Sequence, residues 1–414
     1  MIEKLQTLIE CDIWDENVAL VNGEIMNFDF LLALGAKRKL QLSVADAHSL
    51  DFFASWHQAT EWTFGIGGYE LKNSIENLTT SKENPGEFPA LTFFQPLTVI
   101  GIKGKEWTIL KNESPFDQQR ITDLINSSTQ PSAKPVEAIE LEPKIDRETY
   151  LNDVHALIEH IQQGDIYEVN YCQEFFAKKK IKQPYRLFTE LYKNTTPPHA
   201  AYVQSGNTYL VCASPERYIA KKGQHVFSQP IKGTIKRGAN KEEDALLKEE
   251  LANSQKEKSE NVMIVDLVRN DLSKSAVKGS VKVDELFGIK SFKTVHHMVS
   301  TVSAELKENT PFHQVLRDTF PMGSMTGAPK VRAMELIDEY EKFNRSWYSG
   351  SVGYIAPNGD ADFNVIIRSL LINNKKSYVS LGVGSAITAQ CSPEKEYEEC
   401  LLKAAAIRRV LSGK

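Results

Sequence analysis

Apolar positions follow two different periods along this chain. Between Asp146 and Gly164, the residues Leu151, Val154, Leu157, Ile158 and Ile161 recur at three- and four-residue spacing. That spacing predicts one helix face, with Asp146 as N-cap and Gly164 as stop. Shorter β-rich runs bounded by turn residues predict strands at 97–102, 107–110, 167–171, 209–213 and 226–228, with a hairpin turning at Gly206–Asn207. Asn240 with Glu243 and Ser254 with Glu257 form two capping boxes, the second opening a helix to about Val268. Further helices start at Thr310–Pro311 and Ala328–Pro329. The last third reads as a meander of strands at 351–356, 363–372 and 378–384, then a helix with Ser392 as N-cap and Pro393 at its first position. Segment 64–69 is rich in glycine but lacks full dinucleotide-fingerprint spacing, so it predicts a tight turn where backbones approach closely.

The polar, proline-containing stretch 126–135 divides this pattern. The expected organisation is an N-terminal α/β region at 1–125, a linker at 126–144 and a larger domain at 145–414. Runs of strands with helices between them predict an α+β fold, a layered sandwich of mostly antiparallel sheets flanked by helices.

Composition narrows the function classes. The 414 residues carry a formal charge of −5, and no basic run exceeds Lys178–Lys180, so no nucleic-acid face is expected. Eighteen consecutive apolar residues occur nowhere, and the acidic N-terminus does not read as a signal peptide, so no membrane span is expected. Cys11, Cys172, Cys212, Cys391 and Cys400 show no CxxC spacing and read as reduced thiols of a cytoplasmic protein.

Several residues are candidates for chemistry. Lys232, between Ile231 and Gly233 at the end of a short strand, is poised to point into a cleft as a covalent nucleophile. Glu257 with Glu260, and Glu396 with Glu399, are three apart at the starts of two helices. If the two faces converge they suit Mg2+; acidic residues also favour first helical turns for the macrodipole alone. Arg368 on an apolar strand needs water, a carboxylate to clamp or an ion pair. Gly382–Gly384 at a strand end suits either an anion or a sheet corner. Spacing does not decide between a core and a catalytic role for His296–His297.

Together these segments resemble the chorismate-utilising enzymes, which share an anthranilate synthase component I-like fold. The matching motifs are 164–170 (GDIYEVN), 214–217 (SPER), 230–234 (PIKGT), 257–271, 323–330 (GSMTGAPK), the Arg368 strand, Gly382–Gly384 and 392–399. They run in family order across about 145–412; the N-terminal region matches more weakly. The resemblance implies that Glu260 and Glu399 hold Mg2+ on the ring carboxylate of chorismate, with Glu257 and Glu396 as further candidates through water. It also implies that backbone groups of Gly382, Val383 and Gly384 take that carboxylate. Arg368 and Tyr348 would hold the enolpyruvyl carboxylate, Gly233 and Thr234 would line the ring, and His297 would lie beside it.

Two positions point to a type of member. Water-adding members carry a lysine base at the position of Glu168; most amine-adding members carry glutamine, from which Glu168 departs. Members that aminate C2 carry alanine at the position of Lys232, and members that aminate C4 carry lysine. The implied reaction is therefore C4 amination. The Lys232 amine attacks C2 as the C4 hydroxyl leaves, protonated by Glu216, and ammonia then attacks C4 and expels the lysine. A neutral amine is required, and desolvation with Lys236 and Arg237 nearby is expected to lower the Lys232 pKa. None of the cysteines has an amidotransferase setting, so ammonia is expected from a separate glutamine amidotransferase subunit. The chain lacks a Leu-Leu-Glu-Ser motif, so tryptophan feedback is not expected. The competing readings are C2 amination, giving anthranilate, and a non-catalytic chorismate-binding subunit.

Overall fold

The computed structural model describes residues 2–412 apart from 12, 13, 15, 16, 77 and 128–137. Among the described residues, nineteen strands join in one sheet, and every pairing between them is antiparallel. Its central strands are near-continuous apolar runs because both faces are covered. In Asn17–Asn22 every residue is buried. Val18 and Leu20 enter one apolar core, and Ala19 and Val21 enter the other. Leu32 and Leu34 alternate with Leu31 and Ala33 in the same way, as the two-residue strand period requires.

Helices close both layers. Arg147–Gln162, Pro184–Thr195 and Pro393–Leu411 cover the first core. Gln255–Ser275 and Phe312–Thr319 cover the second. The fold is thus the layered, antiparallel α+β arrangement expected from the pattern. The first 125 residues share this sheet: Asn17–Asn22 pairs with His199–Ser205, and Thr63–Gly67 with Ser351–Ile355. Most of the polar stretch 126–135 lies outside the described residues.

The pairings form a path whose two ends meet. Ile231–Lys236 lies near one end, beside Val295–Glu305. From there the path runs through 225–229, 217–222, 361–365, 351–355, 63–67, 91–103, 30–42, 17–22, 199–205, 208–214, 369–373 and 378–388 to Glu168–Ala177. At two places the chain crosses directly between distant parts of this path. One crossing is between Thr208–Ser214 and Arg217–Lys222, the other between Ala361–Val365 and Ser369–Asn373. Side chains at these crossings leave the ladder and are free to face a cleft.

Local structure departs from the sequence reading at four points. Segment 64–69 is mostly strand, not turn; the close approach is real, since a Cβ on Gly65 would lie 2.1 Å from the Thr92 carbonyl oxygen. The strand expected over 363–372 breaks, with Arg368 in the gap at φ +52°. Gly382–Gly384 lie within Tyr378–Thr388 instead of ending a strand. The helix opened by Ser254 runs on to Ser275. The cap residues act as expected at three helices. Asp146 accepts from the Thr149 N–H at 2.8 Å, Asn240 from Glu243 at 2.8 Å and Ser254 from Glu257 at 3.3 Å. Ser392 instead donates its hydroxyl to Glu394. Among the described residues no helix is long and apolar enough to cross a membrane, and all five cysteines are free.

Candidate active site

Lys232 is aimed by a bulge. Ile231 faces Val299 and Thr234 faces His297, so three steps on one strand oppose two on its partner. Gly233 supplies the extra residue at φ +91°, a conformation that side chains other than glycine's rarely adopt. A Cβ there would also sit 3.0 Å from the Glu257 carboxylate. The bulge turns the Lys232 ammonium onto Glu168, Nζ to Oε1 at 2.6 Å, with the two side chains 11% and 2% exposed. This bond joins the strand near one end of the sheet path to the strand at the other. Gly233→Ala is expected to cost about 1–3 kcal/mol from backbone strain. The checks are a lowered urea midpoint and a larger proportional loss of activity than of folded protein at 25 °C.

The charge around Lys232 differs from the expectation. Arg237 is spent on Asp244, with two bonds of 2.7 Å, and Lys236 is exposed. Burial does press the Lys232 pKa down, but Glu168, Glu260 and Glu399 outweigh it and hold the value above that of an ordinary lysine. In the resting protein this lysine is an ammonium.

Glu216 stands at the first of the two sheet crossings. Its N–H donates to Ser214 Oγ at 3.2 Å, and its carbonyl accepts from Val365 N–H at 3.1 Å. Burial pushes its carboxyl up to about 7, opposed by the Ser324 hydroxyl, which donates to Oε1 at 2.7 Å, and by the charge of Lys232. Arg368 stands at the second crossing, where its carbonyl accepts from Ala213 N–H at 3.1 Å. Burial lowers its pKa against the pull of Tyr348 and Glu399, and among the described residues no carboxylate pairs with it. A partly buried guanidinium without a protein counter-ion is arranged for an anionic ligand.

The Tyr348 ring lies on Gly382, where a Cβ would approach to 2.4 Å, and its hydroxyl meets Cys172 Sγ at 3.6 Å. Strand 378–388 pairs on one side with 168–177 from Val379 to Thr388, while its pairing with 369–373 stops at Ser380. From Leu381 onward, through Gly382, Val383 and Gly384, that second edge has no strand partner among the described residues. Lys403 reaches the Gly384 carbonyl at 2.8 Å. His297 Nδ1 lies 2.8 Å from Thr234 Oγ1. Burial, with Arg368 nearby, pushes His297 down to about 3, so it is neutral. His296 is spent on Asp244 and Ser291.

The glutamate pairs do converge. Lys256 Nζ lies 3.8 Å from Glu260 and 3.7 Å from Glu396, tying the two helix starts together. Lys403 holds Glu399 at 2.6 Å. Burial pushes Glu260 up to about 7, with Glu168 and Glu257 adding to the shift and Lys232 opposing it. Among the described residues no three His, Cys, Asp or Glu side chains already stand in a metal-binding group. The donor set is nevertheless hard carboxylate oxygen, balanced by two lysines that a divalent cation would replace, which fits Mg2+.

Sequence reasoning missed Lys256, Lys403, Ser324 and the Glu168–Lys232 bond. Two of these carried a signal: Lys256 precedes Glu260 by four residues, and Lys403 follows Glu399 by four.

Residues 22–409 match the family model described as chorismate binding enzyme. The chain belongs to that family. It is 35% identical over 361 residues to aminodeoxychorismate synthase component 1 of Escherichia coli K12, covering 84% of this chain and 75% of the relative. It is 41% identical over 266 residues to the chloroplastic aminodeoxychorismate synthase of Arabidopsis thaliana, covering 63% of this chain; it spans only 28% of that longer protein. The crystal structure of anthranilate synthase component I from Streptococcus pneumoniae has the same fold, with a TM-score of 0.77 at 23% identity and 92% of each chain covered.

Proposed function

We propose that this chain converts chorismate and ammonia to 4-amino-4-deoxychorismate, as the first committed step toward p-aminobenzoate and folate. The observation that carries the reading is Lys232, turned by the Gly233 bulge toward an acidic cleft, with Glu216 buried nearby. Lys232 is the nucleophile at C2. Glu216, with its pKa near 7, is the acid that protonates the departing C4 hydroxyl. Arg368 and Tyr348 hold the enolpyruvyl carboxylate, Gly233 and Thr234 line the ring, and neutral His297 lies beside it. The open strand edge at Gly382, Val383 and Gly384 takes the ring carboxylate. Mg2+ on Glu260 and Glu399, with Glu257 and Glu396 reached through water, would supply charge neutralisation for that carboxylate. Ammonia comes from a separate glutamine amidotransferase subunit, and the five free thiols support a cytoplasmic setting.

The test is to incubate the protein with chorismate, Mg2+ and an ammonium salt. The expected product gives p-aminobenzoate only after a 4-amino-4-deoxychorismate lyase is added. Fluorescent anthranilate formed without the lyase would establish C2 amination instead, and no product would leave a chorismate-binding subunit.

A further inference from the structure

We infer that Glu168 is the base that takes the proton from Lys232, so that the pair is a proton-transfer couple and not a fixed salt bridge. The inference deepens the reaction proposed above and rests on it. A lysine must be neutral to attack carbon, yet its surroundings hold it as an ammonium. Five acidic groups face it or its strand: Glu168 from the strand 168–177, Glu257 and Glu260 from the helix 255–275, Glu399 from the helix 393–411, and Glu216 from the crossing. Among the described residues, only Glu168 is within hydrogen-bonding distance of Nζ, at 2.6 Å. That is the reach required of a general base.

A second observation separates Glu168 from an ordinary structural partner. Its other oxygen, Oε2, is buried and has no hydrogen-bond donor among the described residues. A buried carboxylate kept permanently ionised normally has its oxygens satisfied. Here the charge rests on Lys232 alone. Moving the proton turns a buried ion pair into a neutral acid and a neutral amine, both cheaper to desolvate. Substrate entering the cleft excludes water and shifts the balance further that way.

The proton count closes. The Glu168 carboxylate takes one proton from the Lys232 ammonium. The freed amine forms the N–C2 bond, the two conjugated ring double bonds both shift (C1=C2 to C1=C6, C5=C6 to C4=C5) and the C4–O bond breaks, with the Glu216 proton leaving in water. Ammonia then forms the N–C4 bond, both double bonds shift back and the C2–N bond breaks, releasing neutral Lys232. The Glu216 carboxylate takes a proton from the new C4 ammonium, and Glu168 returns its proton to Lys232. The net change is chorismate plus ammonia to 4-amino-4-deoxychorismate plus water.

The experiment omits ammonia, so that the reaction stops at the adduct. Full-length wild type, Glu168→Gln and Glu168→Asp are mixed with chorismate and Mg2+, quenched over time, and the adduct on the Lys232 peptide is quantified by mass spectrometry from pH 6.5 to 9. Glu168→Gln is expected to form it roughly 10²–10⁴-fold more slowly at pH 7. Its rate should rise steeply with pH, as solvent replaces the base. Glu168→Asp should be slower than wild type but keep the wild-type pH profile. A mere counter-ion predicts the opposite, because removing Glu168 lowers the Lys232 pKa and frees the amine. A Glu168→Gln rate equal to or above wild type overturns the inference, as does a Glu168→Asp profile that matches Glu168→Gln. A wild type that never forms the adduct overturns the covalent reading, and this inference with it.

Discussion

Lys232→Ala is expected to lower formation of 4-amino-4-deoxychorismate by about 10³-fold or more, because the covalent route is lost as a whole. The variant should form no adduct on the 230–234 peptide. It should also release a trace of anthranilate, since the shortened side chain opens C2 to ammonia. Turnover equal to wild type would show that the lysine is not a nucleophile. Stability should change as well. Lys232 and Glu168 are paired at 2.6 Å with little solvent access. Removing one member of such a pair costs about 3–5 kcal/mol while the other stays charged. The double variant Lys232→Ala/Glu168→Gln should recover much of the stability and none of the activity, a non-additivity that a thermal-melt cycle measures.

Glu216→Gln is expected to move activity and stability in opposite directions. The side chain must be protonated to release the C4 hydroxyl as water, and burial pushes it up to about 7. The wild-type rate should therefore fall as pH rises through about 7. The glutamine variant should lose that limb together with roughly 10²–10⁴-fold in rate. In the folded protein the carboxyl titrates near 7 against an ordinary 4.5, so the native state keeps its proton longer than the unfolded chain. Its contribution to stability is full below about 4.5 and is lost as pH rises to 7, a change on the order of 3 kcal/mol. At pH 8 the glutamine variant should melt higher than wild type. A lower melting temperature at that pH would mean that the ionised carboxylate is stabilising and the acid assignment is wrong.

Much of this was legible in the sequence because it depends on local chemistry. Asp146, Asn240 and Ser254 cap their helices from three residues away, with no long-range knowledge needed. The acidic pairs at 257/260 and 396/399 were visible as helix faces. Their convergence was not, because the lysine that ties them, Lys256, reaches Glu396 on the other helix across the gap. The charge state of Lys232 was misjudged for a similar reason. Lys236 and Arg237 are its neighbours in sequence, but Glu168, sixty-four residues upstream, is its neighbour in space. Arg368 looked like a strand residue because its flanks are apolar. Only the crossing of the chain between two parts of the sheet explains why the strand breaks there.

The most direct test of the central claim is the position of the new nitrogen. Wild-type protein is supplied with chorismate, Mg2+ and nitrogen-15 ammonium, and the unprocessed product is examined by proton–nitrogen correlation NMR. Lys232 as nucleophile predicts the label on C4, with water lost and the enolpyruvyl group retained. Label on C2 would contradict the account.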